Sequence, residues 1–325
     1  MKTSRPLIVV HPDEAAGPVC RVVEEMAGDR WFDGKLIVKA REVRSEVVER
    51  KLNSRDWGDG HVESENHVAW KLAERLLSQS SLRVGVEVRA SLTASQIAIA
   101  AAAHNADAVF IARDARATGW WGLGTPFESQ VCRAVNASVW CVDPSVDSGH
   151  IAVAVNPEPP TDDGLAFNRQ LVRDAVALAA SREERPDVHL VAAWSLLGDA
   201  PTEWHRRDVA TSELRRREKI NCHMYLADLA AVVEEAGLNA RLHSVEGVPA
   251  VAITRTVEKI QPAVLMIGNR RRSGVQHALR PNVAEAVLKR VSCSILCVVR
   301  REEDNVRVHR LVEDRTAGQS VSVAS

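Results

Sequence analysis

The 325-residue sequence has no Ser/His/Asp arrangement, no HExxH segment, no Walker lysine loop and no DxD pair. These absences remove the sequence basis for triad hydrolysis, zinc-peptidase chemistry and P-loop phosphate transfer. No stretch is long enough and free enough of charge to span a bilayer, and the N-terminus lacks a signal-peptide pattern, so the expected compartment is the cytoplasm. A basic surplus is missing too: the net charge is -1, and neither nucleic acid nor a membrane is an expected partner. Cysteine is sparse and unpatterned. Cys20, Cys132, Cys141, Cys222, Cys293 and Cys297 form no CxxC pair and no zinc-like spacing with histidine. Cys141, Cys293 and Cys297 lie in or beside apolar runs, where a free thiol behaves as a small buried hydrophobe. Cys222-His223 has no second cluster to complete a metal site. The chain therefore reads as a binding or interaction protein and not as an enzyme.

What is present is a structural pattern written twice. Leu7–Val10, Ala108–Ala112 and Ser138–Val142 in the first half have counterparts in Ile151–Val155, Ala263–Gly268 and Ser294–Val299 in the second. Runs of branched apolar residues of this length predict strands buried on both faces, as in a parallel sheet. With 46% hydrophobic residues the chain can fill two domain-sized cores. In the first half, strands are expected at Lys35–Ala40 and Val84–Val88, with helices over Gly17–Ala27 and along Val68, Leu72 and Leu76. Thr93-Ala94-Ser95-Gln96 has the spacing of a capping box.

In the second half, Leu171, Ala175 and Leu178 mark one helix and Leu226, Leu229 and Val233 a longer one, with Gly237 just past its end. Strands are expected at Val188–Ala193 and around Ala240–Val245, and a helix with Pro249 in its first turn and Ile253, Val257 and Ile260 on its core face. The fold class is α/β: two tandem doubly wound open parallel sheets, residues 1–145 and 150–301, with a mobile tail at 302–325. Asp143–Gly149 reads as the linker, and Asp162-Asp163 as part of a Pro-rich turn.

Ligands of such sheets bind beyond the carboxyl ends of the strands. The residues there carry a resemblance. Gly247-Val248-Pro249-Ala250, Met266-Ile267-Gly268, Arg272-Ser273-Gly274 and Asn282–Leu288 together resemble a universal stress protein domain. The first half resembles it more weakly, through Asp107–Ala112, Gly124-Thr125 and Ser138–Val142. The resemblance, to the tandem members of the family, implies an adenine-nucleotide-binding-like fold and halves paired through their terminal strands as an intramolecular pseudo-dimer. It also leaves room for a homodimer and a small-molecule ligand.

Nucleotide-binding members carry an aspartate after the first strand and a G-x2-G-x9-G-S/T loop after the fourth. There, glycines let backbone amides approach phosphate oxygens at a helix N-terminus. This sequence departs from that pattern in both halves. In the second, Gly268 keeps the first glycine, Arg271 and Pro281 stand at the other two, Asn282 fills the hydroxyl position ahead of Val283, and Asn156 replaces the aspartate. In the first, Ala112 and Ala115 replace two glycines, Gly124-Thr125 comes one residue early, and His11 stands for the aspartate. Pro281 lacks an amide donor and Arg271 adds bulk. Arg270-Arg271-Arg272 offers guanidinium charge as a substitute phosphate clamp.

Trp120-Trp121 fit the packing of a vacated site better than a ring-binding pocket. His11 has Asp13 nearby but no nucleophile to serve. The expectation is a stress-response binding scaffold with degenerate nucleotide loops and no certain cofactor. One rival is a sensor that still binds ATP or another adenine nucleotide; another is a nucleotidyl-transferring enzyme on a related fold.

Overall fold

The computed structural model describes residues 5–10, 19, 22–23, 34–39, 84–89, 92–113, 126–143, 149–157, 161–196, 209–269 and 283–299. The apolar runs form strands. β1 (Pro6–Val10), β4 (Ala108–Ala112), β5 (Ser138–Val142) and β6 (Ile151–Val155) are buried along their whole length. That is the signature of strands covered on both faces. β2 (Gly34–Lys39), β3 (Val84–Arg89), β7 (Val188–Trp194), β8 (Ala240–Glu246), β9 (Val264–Asn269) and β10 (Ser294–Val299) complete one ten-stranded sheet. The expected helices over Gly17–Ala27 and Val68–Leu76, the linker centre and the 302–325 tail fall largely or wholly outside the described residues, although Val19 and Val23 are helical and buried.

The sheet runs β3-β2-β1-β4-β5-β10-β9-β6-β7-β8. Read inward from either edge, the order of elements is the same. All neighbours are parallel except β5 and β10, which pair antiparallel with Ile295 opposite Cys141, Leu296 opposite Trp140 and Cys297 opposite Val139. β5 and β10 would each be an edge strand in an isolated half; their pairing satisfies backbone groups that an edge leaves open.

Alternation along the strands divides the core into two layers. Ile8, Val10, Phe110, Trp140, Val153 and Leu190 face the layer holding α3 (Asp162–Ser181) and α4 (Val209–Glu234), through Leu171, Leu178, Leu226 and Val233. Leu7, Val9, Val109, Val139 and Ile295 face the opposite layer. That layer holds α1 (Ala94–Ala103), α2 (Phe127–Ala134), α5 (Pro249–Ile260) and α6 (Val283–Leu288), through Ile97, Val131, Ile253, Val257 and Val287.

Local signals fix the helix ends. Thr93 and Gln96 form the expected capping box: Gln96 N donates to Thr93 Oγ1 at 3.3 Å, and Thr93 N to Gln96 Oε1 at 2.8 Å. Pro249 opens α5, and Gly237, at φ +71, follows α4 in the left-handed region that glycine adopts without a Cβ clash. Asp162 and Asp163 lie in the first turn of α3, not in the preceding turn as the sequence suggested. Thr161 caps that helix, and the two carboxylates complement its positive end. Among the described residues, no helix is long and apolar enough to cross a membrane.

The β5–β10 seam is tied by side chains that recur at one sequence offset. Ser294 Oγ accepts from Asp143 N at 3.0 Å, and Ser138 Oγ from Val299 N at 3.4 Å. Arg113 donates to Leu288 O at 2.9 Å and Cys293 O at 2.7 Å, while Asn269 donates to Cys132 O at 3.1 Å. Ser138 and Ser294, Asp143 and Val299, Arg113 and Asn269, and Cys132 and Leu288 are each 156 residues apart. Arg133 and Glu285 add a two-bond ion pair between α2 and α6.

Candidate functional site

The carboxyl ends of β6 and β9 are where the second half should hold a ligand. Beyond β6, Asn156 is exposed and its carbonyl is fixed: Asn168 of α3 donates to Asn156 O at 2.8 Å. The same Asn168 amide donates to the hydroxyl of Tyr225 on α4 at 2.7 Å, so three elements meet behind the loop. Burial pushes the Tyr225 phenol up from its ordinary pKa, with the Asn168 bond opposing, and Tyr225 serves here as a neutral hydrogen-bonding group.

At the end of β9 the geometry is more telling. A Cβ built on Gly268 would lie 2.6 Å from Phe167 Cε1 and 3.3 Å from Phe167 Cζ. The ring of a residue on α3 therefore rests on the α-carbon of the glycine that the family pattern sets against phosphate. Lack of a side chain at 268 is used to seat an aromatic ring. Next in the strand, Asn269 is buried and turned to the Cys132 carbonyl across the seam. Val283 opens α6 and is exposed.

Of the residues singled out by sequence, the structure places Asn156 and Gly268 at these two strand ends and Val283 at the start of α6. Arg270, Arg271, Arg272, Gly274, Asn282, His11, Gly124 and Thr125 lie outside the described residues, as do Trp120 and Trp121. Sequence reasoning missed Phe167, Asn168 and Tyr225. Phe167 shares a helical face with Leu171, which marks it as inward-facing, but nothing local pairs it with Gly268.

The expected burial of the cysteines is met among the described residues. Cys132, Cys141, Cys222, Cys293 and Cys297 are all buried and are in no disulfide. The thiol of Cys293 is pushed up to about 11 by burial. Those of Cys132 and Cys297 are raised by hydrogen bonding among these neighbouring sulfurs and by burial.

Residues 159–299 match the model of the Universal stress protein family. Over 178 residues the chain is 26% identical to Universal stress protein E of Escherichia coli K12, a match covering 54% of each chain. The chain thus spans about half the length of the curated relatives it matches. In fold it is similar to a functionally unknown protein of Pseudomonas aeruginosa PAO1, with a TM-score of 0.64 at 18% identity over 96% of this chain and 98% of that one. It is likewise similar to a universal stress protein of Archaeoglobus fulgidus DSM 4304, with a TM-score of 0.55 at 13% identity over 91% and 97%. With α3 to β10 falling within the family match, residues 159–299 match the universal stress protein family, and the chain is similar to universal stress protein E.

Proposed function

We propose that this chain is a tandem universal stress protein whose two units pack as an intramolecular pseudo-dimer. On this reading it acts in the cytoplasm as a binding and interaction scaffold, without catalytic turnover, and its nucleotide loops are degenerate. The observation that carries the loss of nucleotide binding is the Phe167 ring seated on Gly268. A phosphate approaching the backbone there would first have to displace the ring. Two further features agree: Arg271 and Pro281 stand at the other glycine positions, one adding bulk and the other removing a donor. Tandem duplication is supported by the mirrored strand order and by the seam contacts that recur at one offset. Joining the units in one chain raises the effective concentration of their pairing.

The test is thermal unfolding of the full chain with added ATP. A ligand that binds the folded state at ~100 times its Kd stabilises by about 2.7 kcal/mol, which a melting curve resolves easily. The scaffold reading expects an unchanged Tm at millimolar ATP. A rise of several degrees, together with ATP released from the purified protein on denaturation, would establish the sensor instead. Pyrophosphate released on incubation with ATP would point to nucleotidyl transfer.

A further inference from the structure

At the opposite end of the second half, the amino ends of β6, β7 and β8 bring together side chains scattered along the sequence. His150 immediately precedes β6, Asp187 immediately precedes β7, His189 is the second residue of β7, and His243 lies in β8. One ligand atom each from His150, Asp187 and His189 lie within 4.8 Å of one another. We propose that His150, Asp187 and His189 bind a divalent late first-row transition-metal ion, of which zinc is the representative.

The chemistry of the donors selects this class. Two imidazoles and one carboxylate suit zinc, nickel, copper or cobalt, whereas magnesium and calcium require oxygen ligands. Ligand atoms around a tetrahedral zinc stand about 3.3 Å apart, given bonds of about 2.0–2.1 Å. Rotamer adjustment of the exposed His150 would draw the three together. Three protein ligands leave a fourth position open to solvent.

The surroundings are those of oriented ligands. His189 Nδ1 is 2.9 Å from His243 Nε2. With the proton on His189 Nδ1, that N–H donates a hydrogen bond to His243 Nε2, and a lone pair is left on His189 Nε2. That atom is buried and has no hydrogen-bond partner among the described residues. A metal-bound histidine commonly donates its other ring N–H to such a neighbour, which fixes ring orientation and tautomer. The Asp187 carboxylate is similarly held, Oδ1 accepting from Asn239 Nδ2 and Oδ2 from Arg241 Nε, both at 3.0 Å, and each oxygen retains a further lone pair. The Arg241 charge opposes a cation and is offset by the Asp187 carboxylate it pairs with. His150 is anchored through its backbone, its carbonyl accepting from Ala263 N at 2.9 Å. Gly149 beside it has φ +134, a backbone conformation that glycine adopts readily and L side chains rarely do. Burial and the neighbouring His243 and His150 hold the His189 pKa down at about 4, which keeps its ring neutral as a ligand must be.

The test is zinc titration of the tag-free full chain, stripped with chelator, against a chromophoric zinc indicator, with Mg2+ as the control. The expected result is one zinc per chain that Mg2+ does not displace. His150→Ala and Asp187→Asn should each weaken that affinity at least about tenfold while leaving the metal-free Tm near wild type, and His243→Gln should cost about 10–100-fold. Co2+ added in place of zinc should give visible absorption typical of low-coordinate cobalt, lost in His150→Gln. Failure to bind zinc, or wild-type affinity in both His150→Ala and Asp187→Asn, overturns the proposal. Because His150 is exposed, its replacement tests binding without disturbing the core.

Discussion

Gly268 shows how one residue can be required for a reason other than the one its motif suggests. If the missing side chain serves to seat Phe167, then Gly268→Ala forces ring and strand apart, and overpacking of this kind costs ~1–3 kcal/mol. Phe167→Leu in the same chain should recover most of that loss. Denaturant midpoints of the two single variants and the double variant measure the coupling; additive penalties would mean that the two residues do not press on each other. The buried thiols give a second residue-scale expectation. A pKa raised above the ordinary thiol value keeps the group protonated to higher pH, so Cys132, Cys141, Cys293 and Cys297 should resist iodoacetamide at pH 8. Peptide mapping should find them alkylated only after unfolding; ready labelling of the native chain would contradict their burial.

At the scale of elements, the contacts that matter most are those joining β5 and α2 to β10 and α6. Arg113 spends its guanidinium on two carbonyls at the end of α6 and the start of β10, groups that a short helix cannot satisfy itself. Arg113→Ala should destabilise the chain by ~1–3 kcal/mol, because it strands partly buried acceptors, as seen in the denaturant midpoint. Asn269→Ala should act in the same direction through Cys132 O. A neutral result at both positions would show that these two side chains contribute little to holding the seam. Capping is the contrasting case: Thr93 and Gln96 are three residues apart, so their reciprocal bonds could be read from the sequence. The register of β5 on β10 had no such local cue. Each strand looks like a plain apolar run, and its partner lies in the other half of the chain.

For the whole molecule, β5 and β10 lie at the centre of the strand order. β5 and β10 are buried along nearly their whole length, whereas β8 at one margin is largely half-buried or exposed. Backbone amides of β5 and β10 should therefore exchange with solvent most slowly, and those of β8 much faster. Hydrogen-exchange mass spectrometry reads this directly, and faster exchange at β5 and β10 than at β8 would show that the seam opens in solution.

The sequence alone determined the elements and their repetition. Apolar runs of strand length, helical spacing of Leu171, Ala175 and Leu178, the Thr93 cap and the glycine after α4 depend on residues close in the chain, and they came out as read. Which residues stand at the glycine positions is likewise legible from the sequence, since residue identity is all that it requires. Tertiary structure decided what those residues face: Phe167 upon Gly268, Arg113 upon Leu288, and His150 beside Asp187 and His189. Such pairings are set by strand order and crossover, which bring distant segments together only once the sheet has closed. No local periodicity carries that information.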